Sequence, residues 1–386
     1  MKKIKLGDVC EILNGFAFKS ENYVGSGIRV IRISNVQKGY IEDNTPAFYP
    51  LETKGLEKYM LKEGDILISL TGNVGRVAIL EKEFMPAALN QRVACLRLKT
   101  DKLSKRYLFH ILNSDFFEKQ CIQYSKGVAQ KNMSTAWLKD YEILLYSKEQ
   151  QELIADILDE MHLIKKLRYY ELQKLDELVK ARFVEMFGDE NNSKGWEIVN
   201  IEDVANVQVG VVIKPSQYYT DQDSGIKAFR SLNIGNGYIK DDDWVYFSEE
   251  GNKKNKKSIL STNDVLVVRS GAPGTACVVT SEYAGSNAID VIIAHPDFQK
   301  VDSHYLCTYT NMPHGKSQII EGTGGAAQQH FNVGKYNKLK LMLPPLEYQK
   351  QYVKFLEEID KSRSRIQKSL EASQELFDSL MQEYFG

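Results

Sequence analysis

A chain of 386 residues that is 43% hydrophobic holds enough apolar material for two or three ordinary domain cores. Its formal net charge of −1 speaks against a polybasic nucleic-acid binder acting alone. No apolar run approaches the ~20 residues of a membrane span, and the start, Met1-Lys2-Lys3-Ile4-Lys5, is too polar for a signal peptide, so a cytoplasmic location is expected.

The first ~145 residues lean towards β structure by pattern. Ile28–Ile33 alternates like a half-buried strand, and Ile66–Leu70 is a short apolar β-branched run. A short helix is expected near Lys105–Phe117. From Glu149 to Phe187 there is no Pro or Gly and many helix formers, which predicts one long helix. A second β-leaning stretch follows, with Val265–Val268 as its apolar strand and a short helix near Ser303–Asn311. Glu347–Phe385 then repeats the long helical pattern.

The order repeats because the sequence repeats, 198 residues on. Gly39-Tyr40-Ile41 returns as Gly237-Tyr238-Ile239, Tyr107-Leu108 as Tyr305-Leu306, Gln151 as Gln349, and Phe187-Gly188 as Phe385-Gly386. A period this long is a duplicated domain-plus-helix, not a solenoid, whose repeats run to roughly 20–50 residues. The expected boundaries are globular domains at 1–147 and 189–345, and helices at 148–188 and 346–386.

Both helices carry a heptad seam. In the first it is Ile154, Leu158, Met161, Lys165, Arg168, Leu172, Leu175, Val179, Arg182 and Met186. In the second it is Tyr352, Leu356, Ile359, Arg363, Ile366, Leu370, Ser373, Phe377, Leu380 and Tyr384. At 1.5 Å per residue, ~39 residues reach roughly 58 Å, too long for a helix packed only on its own domain. Pairing through the seams requires an antiparallel arrangement, because the first helix leads to the second domain and the second starts there. The expected class is α+β: two β-rich α/β globular domains separated by two long antiparallel coiled-coil helices, with internal pseudo-twofold symmetry.

The helices hold 13 basic and 17 acidic residues, which leaves the rest of the chain about +3. Cys10, Cys95, Cys121, Cys277 and Cys307 are scattered without a CxxC pair, which reads as buried thiols rather than a disulfide framework or zinc site. There is no phosphate-binding G-x-x-x-x-G-K-[ST] and no G-x-G-x-x-G at a strand–helix turn. Leu343-Pro344-Pro345-Leu346 lacks the Asn or Asp of an amino-methyltransferase element, and the six histidines form no H-E-x-x-H. A non-catalytic binding module fits this pattern better than an enzyme.

Three segments recur in the two domains. Asn14-Gly15-Phe16-Ala17-Phe18-Lys19-Ser20 matches Val209-Gly210-Val211-Val212-Ile213-Lys214-Pro215-Ser216. Gly64-Asp65-Ile66-Leu67-Ile68-Ser69-Leu70-Thr71-Gly72-Asn73-Val74-Gly75 matches Asn263–Gly274. Lys126-Gly127-Val128-Ala129-Gln130-Lys131-Asn132 matches Gly324–His330. The helix entry Leu343-Pro344-Pro345-Leu346-Glu347-Tyr348-Gln349 matches Leu145–Gln151, where Tyr146-Ser147 replace the prolines.

In this order, twice, these segments resemble the specificity subunit of type I restriction–modification systems, HsdS, over the whole chain. That resemblance implies two target recognition domains, each reading half of a bipartite, asymmetric sequence in double-stranded DNA. It implies helices that set the gap between half-sites. It implies two HsdM methyltransferase subunits as partners, which bind S-adenosylmethionine, and HsdR restriction subunits; the chain itself would hold no cofactor and no metal. Base readers are expected among side chains matching base-edge donors and acceptors on loops. In the first domain these are Lys19, Ser20, Arg32, Thr71, Asn73, Arg76, Lys126, Gln130 and Lys131. In the second they are Lys214, Ser216, Arg230, Arg269, Ser270, Thr323, Gln328, Gln329 and His330. A tandem coiled-coil adaptor that binds proteins and no DNA is the alternative.

Overall fold

The computed structural model describes residues 2–125, 132–323 and 331–385. The chain divides into two compact units. One comprises residues 1–169 with 367–386, the other residues 170–366. Each unit therefore takes part of both long helices, Lys148–Phe187 and Leu346–Phe385.

In the first unit a four-stranded antiparallel sheet runs in the order Cys10–Asn14, Val93–Leu98, Ile66–Ser69, Val77–Ile79. A smaller sheet joins Phe48–Tyr49, Ile28–Ile31 and Ala87–Leu89, the last two parallel. The central strand Ile66–Ser69 is an unbroken buried run because both of its faces are covered. Ile66 and Ile68 enter a core with Tyr107, Phe117 and Leu158, whereas Leu67 enters another with Ile31 and Leu89. Lys2–Lys5 pairs with Glu142–Leu145, tying the start of the chain to the segment that enters the helix.

The second unit repeats this plan with Ala205–Val209, Val291–Pro296, Val265–Val268 and Ala276–Val278. Its second sheet is Tyr219–Thr220, Val245–Phe247, Ile226–Phe229, Asn287–Ala288. Glu197–Asn200 pairs with Lys340–Leu343. Val265 and Val267 face one core, Leu266 and Val268 the other.

Some expected bounds move. Ile28–Ile33 ends as a strand at Ile31, where Arg32 N–H turns to the Asn35 side chain at 2.9 Å. The helix expected near Lys105–Phe117 is two, Lys105–Leu112 and Asp115–Ser125. The break falls at Ser114, whose hydroxyl accepts the Phe117 N–H at 3.1 Å and starts the second helix. Ser303–Asn311 is likewise followed by Pro313–Thr323, with proline at the first position. All five cysteines are buried and free, as small apolar side chains.

The repeated signature residues have one job in each unit. Gln151 is fully buried at the first turn of its helix. Its Oε1 accepts the Ser104 N–H at 2.7 Å, and its Nε2 donates to the carbonyls of Lys102 and Tyr146, both at 2.9 Å. Gln349, also fully buried, accepts the Asp302 N–H at 2.8 Å and donates to Lys300 and Pro344 at 3.2 and 2.8 Å. One amide thus satisfies three loop groups that would otherwise be orphaned. Tyr107 donates to the Leu144 carbonyl at 2.9 Å and Tyr305 to that of Met342 at 2.7 Å. Against these tyrosines pack the residues that end each helix: Phe385 lies 5.7 Å from Tyr107, and Phe187 4.8 Å from Tyr305.

Within each unit the helical segments run antiparallel. In the first, Ile154 and Leu158 share a core with Phe385, while the Lys165 ammonium lies 4.6 Å over Phe377. In the second, Phe183 packs 5.5 Å from Tyr352, while Arg363 pairs with Asp176 at 2.8 Å. Every seam position is buried or half-buried. Outside the seam, Leu163, Leu167 and Tyr169 are exposed in the first unit, and Tyr170, Leu178 and Val184 in the second. Among the described residues no helix is long and apolar enough to cross a membrane.

Candidate nucleic-acid interface

In each unit, loops meet at one end of the four-stranded sheet. In the first, Phe16 bridges to Asn90, and the Gln91 N–H donates to the Phe16 carbonyl at 2.9 Å. The Leu70 N–H donates to the Arg92 carbonyl at 2.9 Å, and Thr71 bridges to Asn132. These bonds place the segment before Lys19, the 70–75 turn and the end of the glycine-rich segment beside one another. Two glycines make this possible. A Cβ on Gly15 would overlap the carbonyl of Asn90, and one on Gly75 (φ 85°) would lie 2.8 Å from Cys121 Cβ on the neighbouring helix.

The second unit is built alike. Val211 bridges to Ile289, and Phe331 N–H donates to the Arg269 carbonyl at 3.1 Å. A Cβ on Gly210 would overlap the Ala288 carbonyl, and one on Gly274 (φ 79°) would lie 2.5 Å from Ile319. Because backbone rather than a flexible side chain opposes them, Gly15→Ala and Gly210→Ala are each expected to destabilise their unit by about 1–3 kcal/mol. Urea unfolding of each variant checks this; wild-type midpoints would show that the strands part freely.

The sequence-predicted readers fall into three groups. Lys19 and Ser20 are exposed beside a turn pinned by the Tyr49 hydroxyl, which accepts the Lys19 N–H at 2.9 Å. Asn73, Lys214 and Ser216 are exposed, and Thr71 is half-buried. Lys214 holds φ 44° ahead of Pro215, a strained conformation for a side chain on a loop tip.

The arginines are engaged within the fold. Arg32 and Arg230, at equivalent places, donate from Nη2 to the carbonyls of Thr45 and Asp243. Arg76 donates to Gln37 Oε1. Arg269 donates from Nε to the Phe331 carbonyl at 3.2 Å and pairs through Nη1 with Asp290. Ser270 is half-buried in the same turn. Lys126, Gln130, Lys131, Gln328, Gln329 and His330 lie outside the described residues, as does the side chain of Thr323.

Sequence reasoning missed several side chains at these ends. Gln91 and Arg92 are exposed in the first unit, and Val212 and Ile213 in the second, with Ile213 79% exposed. Lys316 donates to Thr275 at 3.3 Å, and burial holds its ammonium below the usual lysine range. Gln91, Arg92 and Lys316 sit in no recurring glycine segment, and Val212 and Ile213, although they follow Gly210, carry no group that pairs with a base edge.

The aspartate of the Gly-Asp or Asn-Asp element lies at the other end of each four-stranded sheet, where its strand begins. Asp65 accepts Arg97 Nε and Nη2 at 2.9 and 2.7 Å and the Lys62 N–H at 2.8 Å. Asp264 accepts the Ser261 N–H at 2.7 Å and lies 2.6 Å from His295 Nδ1. The same buried carboxylate is thus matched by an arginine in one unit and a histidine in the other.

A duplicated, loop-rimmed recognition module on long paired helical segments is the class this fold defines. The family model described as the type I restriction modification DNA specificity domain matches residues 1–176 and again 193–374, and the chain belongs to that family. It is 24% identical over 398 residues to the EcoBI specificity subunit of Escherichia coli, covering 95% of this chain and 81% of that one. It is 30% identical over 184 residues to the MjaVIII specificity subunit of Methanocaldococcus jannaschii, covering 46% and 43%. The type I restriction–modification S subunit from M. genitalium has the same fold, with a TM-score of 0.59 at 14% identity, covering 100% of this chain and 96% of that one. A chain solved in work on complex assembly and conformational transition of the type I system gives 0.64 at 15%, covering 100% and 97%. The chain is a specificity subunit, and methyl transfer belongs to other subunits.

Proposed function

We propose that each unit reads one half of a bipartite, asymmetric target in double-stranded DNA, through the loops at the end of its four-stranded sheet. The observation that carries this reading is one scaffold presented twice with different side chains: Thr71-Gly72-Asn73 against Ser270-Gly271-Ala272, and Asn90-Gln91-Arg92 against Ile289-Asp290. Duplicated readers match duplicated half-sites, and unlike loops make those half-sites unlike.

Residues 1–147 and 189–345 serve as target recognition domains. Segments 148–188 and 346–386 set the gap between half-sites. Lys19, Ser20, Asn73, Lys214 and Ser216 supply exposed groups for bases or phosphates, together with the half-buried Thr71, and the glycine-rich segments contribute further readers. Two HsdM subunits carry S-adenosylmethionine and dock on the helices, where exposed Leu163 and Leu167 in one unit and Tyr170 and Leu178 in the other offer apolar surface. HsdR subunits complete a cytoplasmic restriction complex. The near-neutral charge of this chain, −1 overall, is consistent with partners that share the phosphate contacts.

The test is co-expression with the cognate methyltransferase subunit. The expected result is a complex of two methyltransferase subunits to one specificity chain that methylates DNA at a single split sequence, read by methylation profiling. A complex that forms but methylates no preferred sequence would favour the adaptor alternative.

A further inference from the structure

We infer that Arg92 reads a guanine in the half-site of the first unit, and that the second unit has no counterpart to it. This rests on the half-site reading above.

The first unit contains seven arginines. Arg29, Arg32, Arg76, Arg97 and Arg106 are held by Asp43, the Thr45 carbonyl, Gln37, Asp65 and the Asp156–Asp159 pair. Arg168 is also engaged. Arg92 is exposed, and its guanidinium has no partner among the described residues. Its backbone, by contrast, is fixed. Its N–H donates to the Asn90 side chain at 3.1 Å, its carbonyl accepts Leu70 N–H at 2.9 Å, and Val93 N–H closes the turn on the Asn90 carbonyl at 2.9 Å. An uncommitted fork on a rigid turn is preorganised for a directional contact.

Its position favours a base over a phosphate. The turn lies between two neighbours, bonded to Phe16 on one side and Leu70 on the other. It is therefore in the middle of the loop rim, where a groove floor is met, rather than at the edge. A guanidinium matches the O6 and N7 acceptors of guanine, the commonest specific major-groove pairing.

The second unit differs here by one residue. Three residues separate Leu89 from Val93, but only Ile289 and Asp290 separate Ala288 from Val291. Asp290 is committed to Arg269. The guanine contact therefore belongs to one half-site only.

The experiment measures the affinity of the assembled methyltransferase complex for duplexes in which every base pair of its target is varied in turn. Arg92→Ala is expected to reduce discrimination about tenfold at one position, whose preferred pair contains guanine, and to leave the others intact. Arg92→Gln is expected to move the preference at that position towards adenine, the base its amide matches. A uniform loss over all duplexes, with a shallower salt dependence, would make Arg92 a phosphate contact and overturn the assignment. So would unchanged discrimination at every position. A wild-type complex that distinguishes none of the duplexes overturns the half-site reading, and this assignment with it.

Discussion

Replacing Gln349 with alanine is expected to destabilise the second unit by about 3 kcal/mol, since unsatisfied buried polar groups cost roughly 1–3 kcal/mol each. Three backbone groups lose their partner: the Asp302 N–H and the carbonyls of Lys300 and Pro344. Two of these bonds are only partly buried, so water recovers some of the loss. Gln151→Ala has the same expected effect in the first unit, where Ser104, Lys102 and Tyr146 are orphaned.

Gln349→Glu separates hydrogen bonding from packing. The shape is kept, but an ionised carboxylate would face two carbonyls and lose both Nε2 donors. The folded state then raises the carboxyl pKa above its unfolded value of about 4.3. A raised pKa favours the fold below the unfolded value and loses that contribution as pH rises through the folded value. The glutamate variant should therefore be at least as unstable as alanine at pH 8 and recover part of its stability towards pH 5. Urea unfolding at both pH values, with hydrogen exchange assigning the loss to residues 300–350, provides the check. Equal losses at both pH values would rule out the clamp.

The clamp also shows what the sequence made legible. Gln151 and Gln349 stood out because they repeat, and they repeat because a buried amide facing three fixed groups tolerates no other side chain. The long helices were legible for a similar reason: a seam of seven-residue period has one structural solution. The break at Ser114 was not, because a single capping hydroxyl interrupts an otherwise helical pattern. Arg92 escaped as well. It stands between two apolar strands with no glycine beside it, and only the partners taken by the other six arginines distinguish it. Arg32, Arg76, Arg230 and Arg269 looked equally available in the sequence, yet their acceptors lie 13 to 62 residues away, beyond any local pattern.

The buried carboxylate at the end of each sheet away from its rim is expected to show the largest difference between the two units. Asp65→Ala leaves Arg97, with its side chain 23% exposed, charged and without its carboxylate, because a guanidinium cannot shed its proton in a protein. Removing one partner of a buried pair costs roughly 3–5 kcal/mol. The Met60 carbonyl still accepts Arg97 Nη2 at 3.0 Å and some solvent reaches it, so about 3 kcal/mol is expected here. Asp264→Ala leaves His295, whose imidazole, unlike a guanidinium, is not a fixed cation, and which keeps its contact with Gln208 at 2.8 Å. The remaining loss is chiefly the orphaned Ser261 N–H, about 1–2 kcal/mol. Arg97→Leu combined with Asp65→Ala should recover part of the single-variant loss, because the stranded charge is gone while Lys62 N–H stays orphaned. The same pairing at His295 and Asp264 should recover little. Denaturant unfolding of the four variants decides it: equal costs for Asp65→Ala and Asp264→Ala would show that the carboxylates act through their backbone caps alone, and that the arginine–histidine difference carries no stability.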